Sequence, residues 1–157
     1  ALLDRLDDRK TGRVVEALQT PVPSYKYDEA KDVVSSQNSM LYEKFPLLDG
    51  VEHMNCDNLI EMYLDSCWRA NLSITGAAGL PEYQKAGNVV RSSTTVCCSM
   101  RLGPNQDSQF ALNEMCKIIS TDVPYNAKVS FLEKSHGDGF LMKQLEPWLK
   151  DSINEAG

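Results

Sequence analysis

The spacing of the apolar residues changes twice along this chain, and that change most restricts the folds open to it. Between residues 57 and 69 apolar side chains recur at intervals of three and four, which predicts a helix with one buried face. In residues 71–76, Leu72 and Ile74 alternate with polar neighbours, which predicts a half-buried strand. Residues 112–119 return to helical spacing. The predicted buried positions of the two helices are Leu59, Ile60, Tyr63, Cys67, Leu112, Met115, Cys116 and Ile119.

The segment "GNVVRSSTTVCCSMRLGPN", residues 87–105, predicts a β-hairpin made of a short strand and a longer one. The longer strand reaches about residue 102, and alternate side chains of a strand point to opposite faces. Asn105 is the predicted N-cap of the helix that follows. The core face of the strand comprises Val96, Cys98, Met100 and Leu102, and the other face comprises Thr95, Cys97, Ser99 and Arg101.

The remaining segments complete an α+β prediction. The last helix carries Pro147 in its first turn, where a missing amide hydrogen costs nothing. The other predicted elements are a helix over residues 1–8, a connecting arm to about residue 24, a helix over 28–45 and a strand over 128–131. Their order predicts a two-layer sandwich with helices on one face of an antiparallel sheet, which is most of a ferredoxin-like βαββαβ unit.

Length and charge narrow the classes of function. A chain of 157 residues suffices for one domain with a sizeable core and hardly for two. Its net charge of −6, with scattered lysines, gives no basic surface for nucleic acid, and no apolar run approaches the roughly 18 residues of a membrane helix. The five cysteines are odd in number and lack the spacing of a disulfide framework, which predicts reduced thiols in a cytoplasmic protein.

Metal, thiol and phosphate chemistry each find little support in the residues. His53 and His136 lie far apart, no Cys-x-x-Cys is present, and both histidines are assigned to loops, with "SHGDGF" interpreted as a turn. Cys97 and Cys98 point to opposite faces of one strand, so we interpret Cys98 as a core residue and Cys97 as a surface residue. No phosphate-binding loop of the GxxxxGK[ST] type occurs.

Arg101 is the residue that best fits a binding role. Its guanidinium is charged at any working pH and forms a planar fork that matches a carboxylate. On the polar face of a central strand it would provide a fixed anion-binding group. An ordinary surface ion pair would explain the same residue.

A resemblance decides between these interpretations. The ordered segments "WRANLSITG", "GNVVRSSTTVCCSMRLGPNQD", "VPYNAKVSF", "GDGF", "PWL" and "NEA" are similar to the inserted lid, or dimerisation, domain of M20-family metallopeptidases. Within that family the chain resembles the group of cytosolic nonspecific dipeptidase, carnosinase and Cys-Gly dipeptidase. The likeness is close from about Trp68 onward and looser before it, where "LLDRLDDRKTGRV" resembles the first lid helix and the turn after it.

The resemblance implies a site that this chain provides only in part. Asn88 and Arg101 match the family positions that reach the substrate's carboxylate or scissile-bond oxygen, and a hairpin would bring them together. Two zinc or manganese ions, with their ligands, would belong to a separate catalytic domain of a dipeptidase, and the chain itself would bind no metal and be inactive alone. The expected partners are that domain, a dipeptide and a second copy of the chain.

The resemblance also implies how the chain is divided. Residues 1–157 would form a single lid fragment, with a helix remnant and arm in 1–56 and an α+β core in 57–157. The first strand of the family's lid sheet would be missing, which exposes an unpaired edge. We therefore expect either a rearranged strand order or strand pairing with a second copy.

Two alternatives from other classes remain open at this point. A free-standing ferredoxin-like module could bind a small anion through Arg101, and it would then bind its ligand without any other domain. A thiol enzyme could use Cys97 or Cys98, which would require a thiol pKa well below the usual value near 8.5.

Overall fold

The computed structural model describes residues 1–38, 40–43 and 45–156. The elements of the described chain are α1 (Ser24–Gln37), α2 (Met40–Glu43), α3 (Leu59–Cys67), β1 (Asn71–Ala78), β2 (Thr95–Arg101), α4 (Ser108–Ser120) and α5 (Pro147–Ala156). Single turns of 3₁₀-helix lie at Leu3–Arg5, Glu16–Leu18, Tyr83–Lys85 and Pro124–Asn126. The described chain is thus an α+β structure, as the alternation of periods predicts.

The sheet of the described residues has two antiparallel strands, β1 and β2. Asn71 pairs with Arg101 at one end and Ala78 pairs with Thr95 at the other, with an irregularity in register between Ile74 and Gly76. The strand predicted over 71–76 and the longer strand of the predicted hairpin are therefore confirmed.

The predicted hairpin itself is wrong. The partner of β2 is β1, and residues 87–94 lie outside the strands. Val89 and Val90 are both exposed, so they lack the packing surface that a strand of this composition requires. The two ends of the connection between β1 and β2 approach each other closely. Gly79 has a φ of +87°, and a Cβ there would lie 2.7 Å from the carbonyl oxygen of Ser93.

One face of the sheet covers the main hydrophobic core. Leu72, Met100 and Leu102 pack against this core, and α4 adds side chains from its third and fourth turns. The predicted alternation along β2 is confirmed for Cys98 and Met100, which are less exposed than their neighbours, but Val96 of the predicted core face is exposed. Burial of a leucine of this kind stabilises the fold by about 1.5–3 kcal/mol. The buried members of the core are Leu6, Val14, Leu18, Ala70 and Ala111.

The predicted helix over residues 1–8 is wrong, since only a turn of 3₁₀-helix forms there. Side-chain hydrogen bonds favour a tight turn instead: the carboxylate of Asp8 accepts from the amides of Lys10 at 3.0 Å and Thr11 at 2.8 Å. Gly12 follows with a φ of +65°, and a single bridge joins Asp7 to Val14. The predicted connecting arm is part of the core, since it contains Val14 and Leu18.

Helices α1 and α3 pack against each other beside the core. Ala30, Leu64 and Trp68 are buried there, and the indole nitrogen of Trp68 donates to the carbonyl of Pro21 at 3.3 Å. The helix predicted over 57–69 is confirmed, and it begins where Asn58 accepts a hydrogen bond from the amide of Glu61 at 3.2 Å.

The helix predicted over 28–45 is broken into α1 and α2. Helix α1 ends at Gln37, and the next residue, Asn38, has a φ of +44°. Residues 39 and 44 of that prediction lie outside the described residues.

The last quarter of the chain contains one correct prediction and one wrong one. Helix α5 begins at Pro147, as predicted. The strand predicted over 128–131 is wrong, because these residues lie outside the strands and Phe131 is exposed. Alternation alone does not make a strand where no second strand lies alongside to accept its hydrogen bonds.

Candidate functional site

Arg101 lies at the last position of β2, on the face of the sheet opposite the core. Its neighbours on that face, Cys97 and Ser99, are exposed as well. Among the described residues, the ion pairs within 4.0 Å do not include Arg101. The alternation of the strand thus correctly predicts an exposed guanidinium on a regular element, which an anion could reach.

Asn88 lies in the long connection between β1 and β2, and its side chain is exposed. Because the predicted hairpin does not form, the strand pairing that was expected to bring Asn88 beside Arg101 is absent from the described chain. Arg101 is opposite Asn71 instead. The role of Asn88 therefore depends on the path of a connection that the sheet does not fix.

The environment of Cys98, the second of two adjacent thiols, works against activation. All five cysteines are free thiols, and Cys97 is exposed while Cys98 is half-buried. Burial raises the pKa of the Cys98 thiol above its ordinary value, and the neighbouring Cys97 adds to that effect. A raised pKa lowers the thiolate fraction at neutral pH, so Cys98 has the opposite of the tuning that a nucleophile needs.

A polar cluster that the sequence did not predict joins the loop 136–139 to the start of α4. Ser108 is 3% exposed, and its hydroxyl oxygen lies 2.6 Å from Oδ1 of Asp138 and 2.9 Å from Nδ1 of His136. The amide of Ser108 also donates to Oδ1 of Asp138 at 3.1 Å. These hydrogen bonds hold the pKa of Asp138 below its ordinary value of 3.8, and the nearby His136 lowers it further.

The order of these three groups excludes a serine nucleophile of the usual kind. The hydroxyl of Ser108 has one proton, which it donates to Asp138, so Nδ1 of His136 carries the hydrogen of the second bond. In a catalytic triad the histidine accepts the serine proton and the carboxylate orients the histidine. Here the carboxylate binds the serine directly, and the cluster fastens a loop to a helix.

The clamped loop lies over the turn that follows Arg101. A Cβ built on Gly139 would lie 3.8 Å from Cα of Pro104. Loop 136–139, the start of α4 and the end of β2 therefore meet at one end of the sheet. No local pattern could have predicted this, because the hydrogen bonds of the cluster join residues 28 and 30 positions apart.

A cluster of charged side chains lies at α3 and the residues that follow it. The guanidinium of Arg69 is 2.6 Å from Oδ1 of Asp65 and 2.6 Å from Oε2 of Glu61. Although burial opposes the charge of Arg69, hydrogen bonds to both carboxylates outweigh that effect and raise its pKa. With Arg13 close by, the group borders a cavity of about 30 Å³, room for only a few water molecules. We interpret this cluster as structural.

Within the described residues, no group of three or more His, Cys, Asp and Glu side chains could hold a metal ion. His53 and His136 lie outside the helices and strands, which confirms the assignment of both to loops. No helix in the described part of the chain is both long enough and apolar enough to cross a membrane.

We compared the sequence with known protein families and curated proteins. A scan against protein-family models finds no match, and a search of curated proteins finds none either.

Proposed function

We propose that this chain is the substrate-binding lid and dimerisation domain of a dipeptidase of the M20 metallopeptidase family. The observation that carries the proposal is the exposed guanidinium of Arg101 at the end of β2, on the face of the sheet that the core leaves open. The order of the segments that resemble the family, from Trp68 onward, supports it.

The finer fold belongs to the same proposal. Strands β1 and β2 and helices α3 and α4 follow one another in the order that a ferredoxin-like sandwich requires, with α4 against the apolar face. The family's first lid strand would be one missing element, and the last strand of the unit, predicted over 128–131, does not form among the described residues either. Both strands of the sheet have an edge without a partner among the described residues, where a second copy could pair.

In this proposal Arg101 binds the carboxylate of a dipeptide through two parallel hydrogen bonds, and Asn88 donates a hydrogen bond beside it. Two zinc or manganese ions and the hydrolytic step belong, in this proposal, to a separate catalytic domain. The chain alone is then inactive, and the cytoplasm is the expected compartment.

The test uses the full-length parent enzyme with Arg101→Ala. We expect kcat/KM for Cys-Gly or Ala-Gly to fall about 10²- to 10³-fold, because a charge-bearing contact to substrate or transition state is lost. Arg91→Ala is the control, since Arg91 is an exposed arginine of the β1–β2 connection. Kinetics unchanged by Arg101→Ala would remove this residue from the site.

Two measurements on the isolated chain separate the alternatives. Hydrolysis of either dipeptide by purified residues 1–157 with added zinc or manganese would contradict the absence of a metal site. Calorimetry with amino acids and dipeptides tests the free-standing anion-binding module: saturable binding that Arg101→Ala abolishes would favour that module over a lid. A strictly monomeric chain in light scattering would contradict pairing with a second copy.

A further inference from the structure

A second surface, far in sequence from Arg101, combines exposed apolar side chains with acidic ones. Within the ten residues 45–54, five large apolar side chains are exposed, among them Leu48 at 82%. Several exposed apolar side chains close together mark an interaction site more often than a single exposed leucine does. We call this segment, with the cavity beside it, the acidic apolar surface. The five side chains are Phe45, Leu47, Leu48, Val51 and Met54.

A cavity of about 320 Å³ adjoins the segment. Its walls combine the apolar side chains of Leu47, Val51 and Met62 with the side chains of Glu52, His53 and Cys56. That volume admits one or two large side chains, and the mixed lining suits a group that is apolar along its length and positively charged at its end.

The base of the surface is fixed to the rest of the fold. Met54 packs against Gly12, where a Cβ would lie 3.8 Å from the methionine sulfur. The side-chain amide of Asn55 donates to the carboxylate of Asp65 on α3, and Asn58 caps the same helix. The C-terminal end of the surface is therefore attached to α3.

The charge of this region is unusually acidic. Residues 43–61 contain five acidic residues and one lysine, a net charge of −4 within a chain whose total is −6. Arg69 and Arg13 lie near Glu61, but ion pairs between described residues do not involve Asp49, Glu52 or Asp57. A partner that brings positive charge would thus meet carboxylates that form no ion pair with the described residues.

We propose that the acidic apolar surface binds a basic amphipathic segment of a partner protein. Apolar side chains of the segment would enter the cavity and cover Leu48, while its lysines or arginines would face Glu52 and Asp49. A second copy of this chain is a poor occupant, because it would present the same carboxylates to each other across a two-fold interface. The proposal concerns a surface separate from the dipeptide site and stands without it.

The test measures binding of a fluorescent amphipathic peptide of leucine and lysine, roughly 18 residues long, or about five helical turns. A peptide of the same pattern with glutamate in place of lysine is the charge control. We expect the lysine peptide to bind the full chain saturably, and to bind more weakly as salt rises from about 50 mM to about 500 mM, because screening shortens the range of the attraction.

The site variant combines Leu48→Ser with Glu52→Lys. Its matched control combines Leu132→Ser with Glu133→Lys, since Leu132 is 79% exposed and Glu133 is exposed beside it. Both variants change the net charge equally and remove one exposed leucine. We expect the site variant to weaken binding at least about tenfold, equivalent to about 1.4 kcal/mol, and the control to weaken it less than about twofold.

Several results would overturn the proposal. Equal affinity for the glutamate peptide would remove the charge argument, and equal weakening by both variants would show adsorption to an acidic protein instead of a site. Absence of saturable binding would also contradict it. A dimer in light scattering that only the site variant dissociates would assign the surface to a second copy.

Discussion

Gly103 shows how one missing carbon atom permits the junction between β2 and α4. A Cβ at this position would lie 2.5 Å from the carbonyl oxygen of Trp68 and 3.1 Å from the hydroxyl oxygen of Thr20. The first contact is with backbone, which cannot rotate away, so the strand end and the segment after α3 would have to separate.

We therefore expect Gly103→Ala to lower the free energy of unfolding by about 1–3 kcal/mol, the usual cost of overpacking. Gly137→Ala is the matched control, because a Cβ there meets no atom within 4 Å. Urea unfolding of both variants provides the measurement. Equal stability of the two would show that the junction is looser than these distances imply.

The hydrogen bonds between Ser108 and Asp138 predict that the stability of the fold depends on pH, with a definite sign. The pKa of Asp138 is lower in the folded chain than its ordinary value of 3.8, so the folded state favours the ionised carboxylate. The stabilisation is complete above about pH 3.8 and is lost as the pH falls below that value.

The measurement is the free energy of unfolding of wild type minus that of Asp138→Asn, between about pH 6 and about pH 2. We expect this difference to be constant at the upper end and to shrink below about pH 4. In a Ser108→Ala background the change with pH should largely disappear, because the donors that lower the pKa are reduced. If this difference grows as the pH falls, the ionised carboxylate of Asp138 does not stabilise the fold.

At the scale of elements, α4 begins two residues later than the predicted cap. Asp107, not Asn105, is its N-cap, and the carboxylate of Asp107 accepts from the amide of Phe110 at 2.7 Å. Asn105 has a φ of +66°, a conformation in which glycine is more stable than other residues. We expect Asp107→Ala to cost about 1 kcal/mol in urea unfolding followed by helix circular dichroism.

Asn105→Gly is the companion variant, and it should leave stability nearly unchanged. If Asn105→Gly costs as much as Asp107→Ala, the cap lies where the sequence places it. A carboxylate at the helix start also interacts favourably with the helix dipole, so the effect of Asp107→Ala should diminish somewhat at high salt.

The elements that could be predicted from the sequence are those with a clear apolar period and a packing partner, which is α1 for α3 and the main core for β1 and α4. Helix α3, strand β1 and helix α4 each show a clear period, and each forms where the period predicts it. Their buried faces agree only in part: Leu72, Met115 and Ile119 pack against the core, whereas Ile74 and Cys67 are exposed. The two wrong strands, the short strand of the hairpin and the strand at 128–131, lack a partner strand among the described residues. Strand pairing depends on another part of the chain, so a local pattern cannot establish it.

The wrong helix at residues 1–8 has a different cause. There the sequence did contain the relevant signal, because "DDRKTG" has an aspartate followed by threonine and glycine at turn spacing. Leu6 and Leu3 satisfied a helical pattern over too few residues to outweigh that turn. In the candidate site, the exposure of Arg101 followed from alternation, whereas the Ser108 cluster depends on contacts across 30 positions.

At the scale of the whole molecule, the chain exposes more surface than a compact protein of its mass. Its accessible surface is 12113 Å², whereas a folded monomer of 17.5 kDa is expected to expose about 7,900 Å². Two long segments without α-helix or strand, residues 79–94 and 121–146, have largely exposed side chains. Such segments contribute little buried area to the stability of the fold.

This large exposed area of the folded chain predicts that the free energy of unfolding depends only weakly on urea concentration. An unfolded chain of this mass exposes about 25,000 Å², so unfolding uncovers about three quarters of the area that a compact protein of equal length would uncover. Because the urea m-value scales with that area, we expect it to be about three quarters of the value for a compact protein of the same length in the same buffer. Circular dichroism and tryptophan fluorescence must give coincident transitions for the comparison to hold. An m-value equal to that of the compact reference would mean that residues 79–94 and 121–146 pack against the core in solution, and the surface open to partners would then be correspondingly smaller.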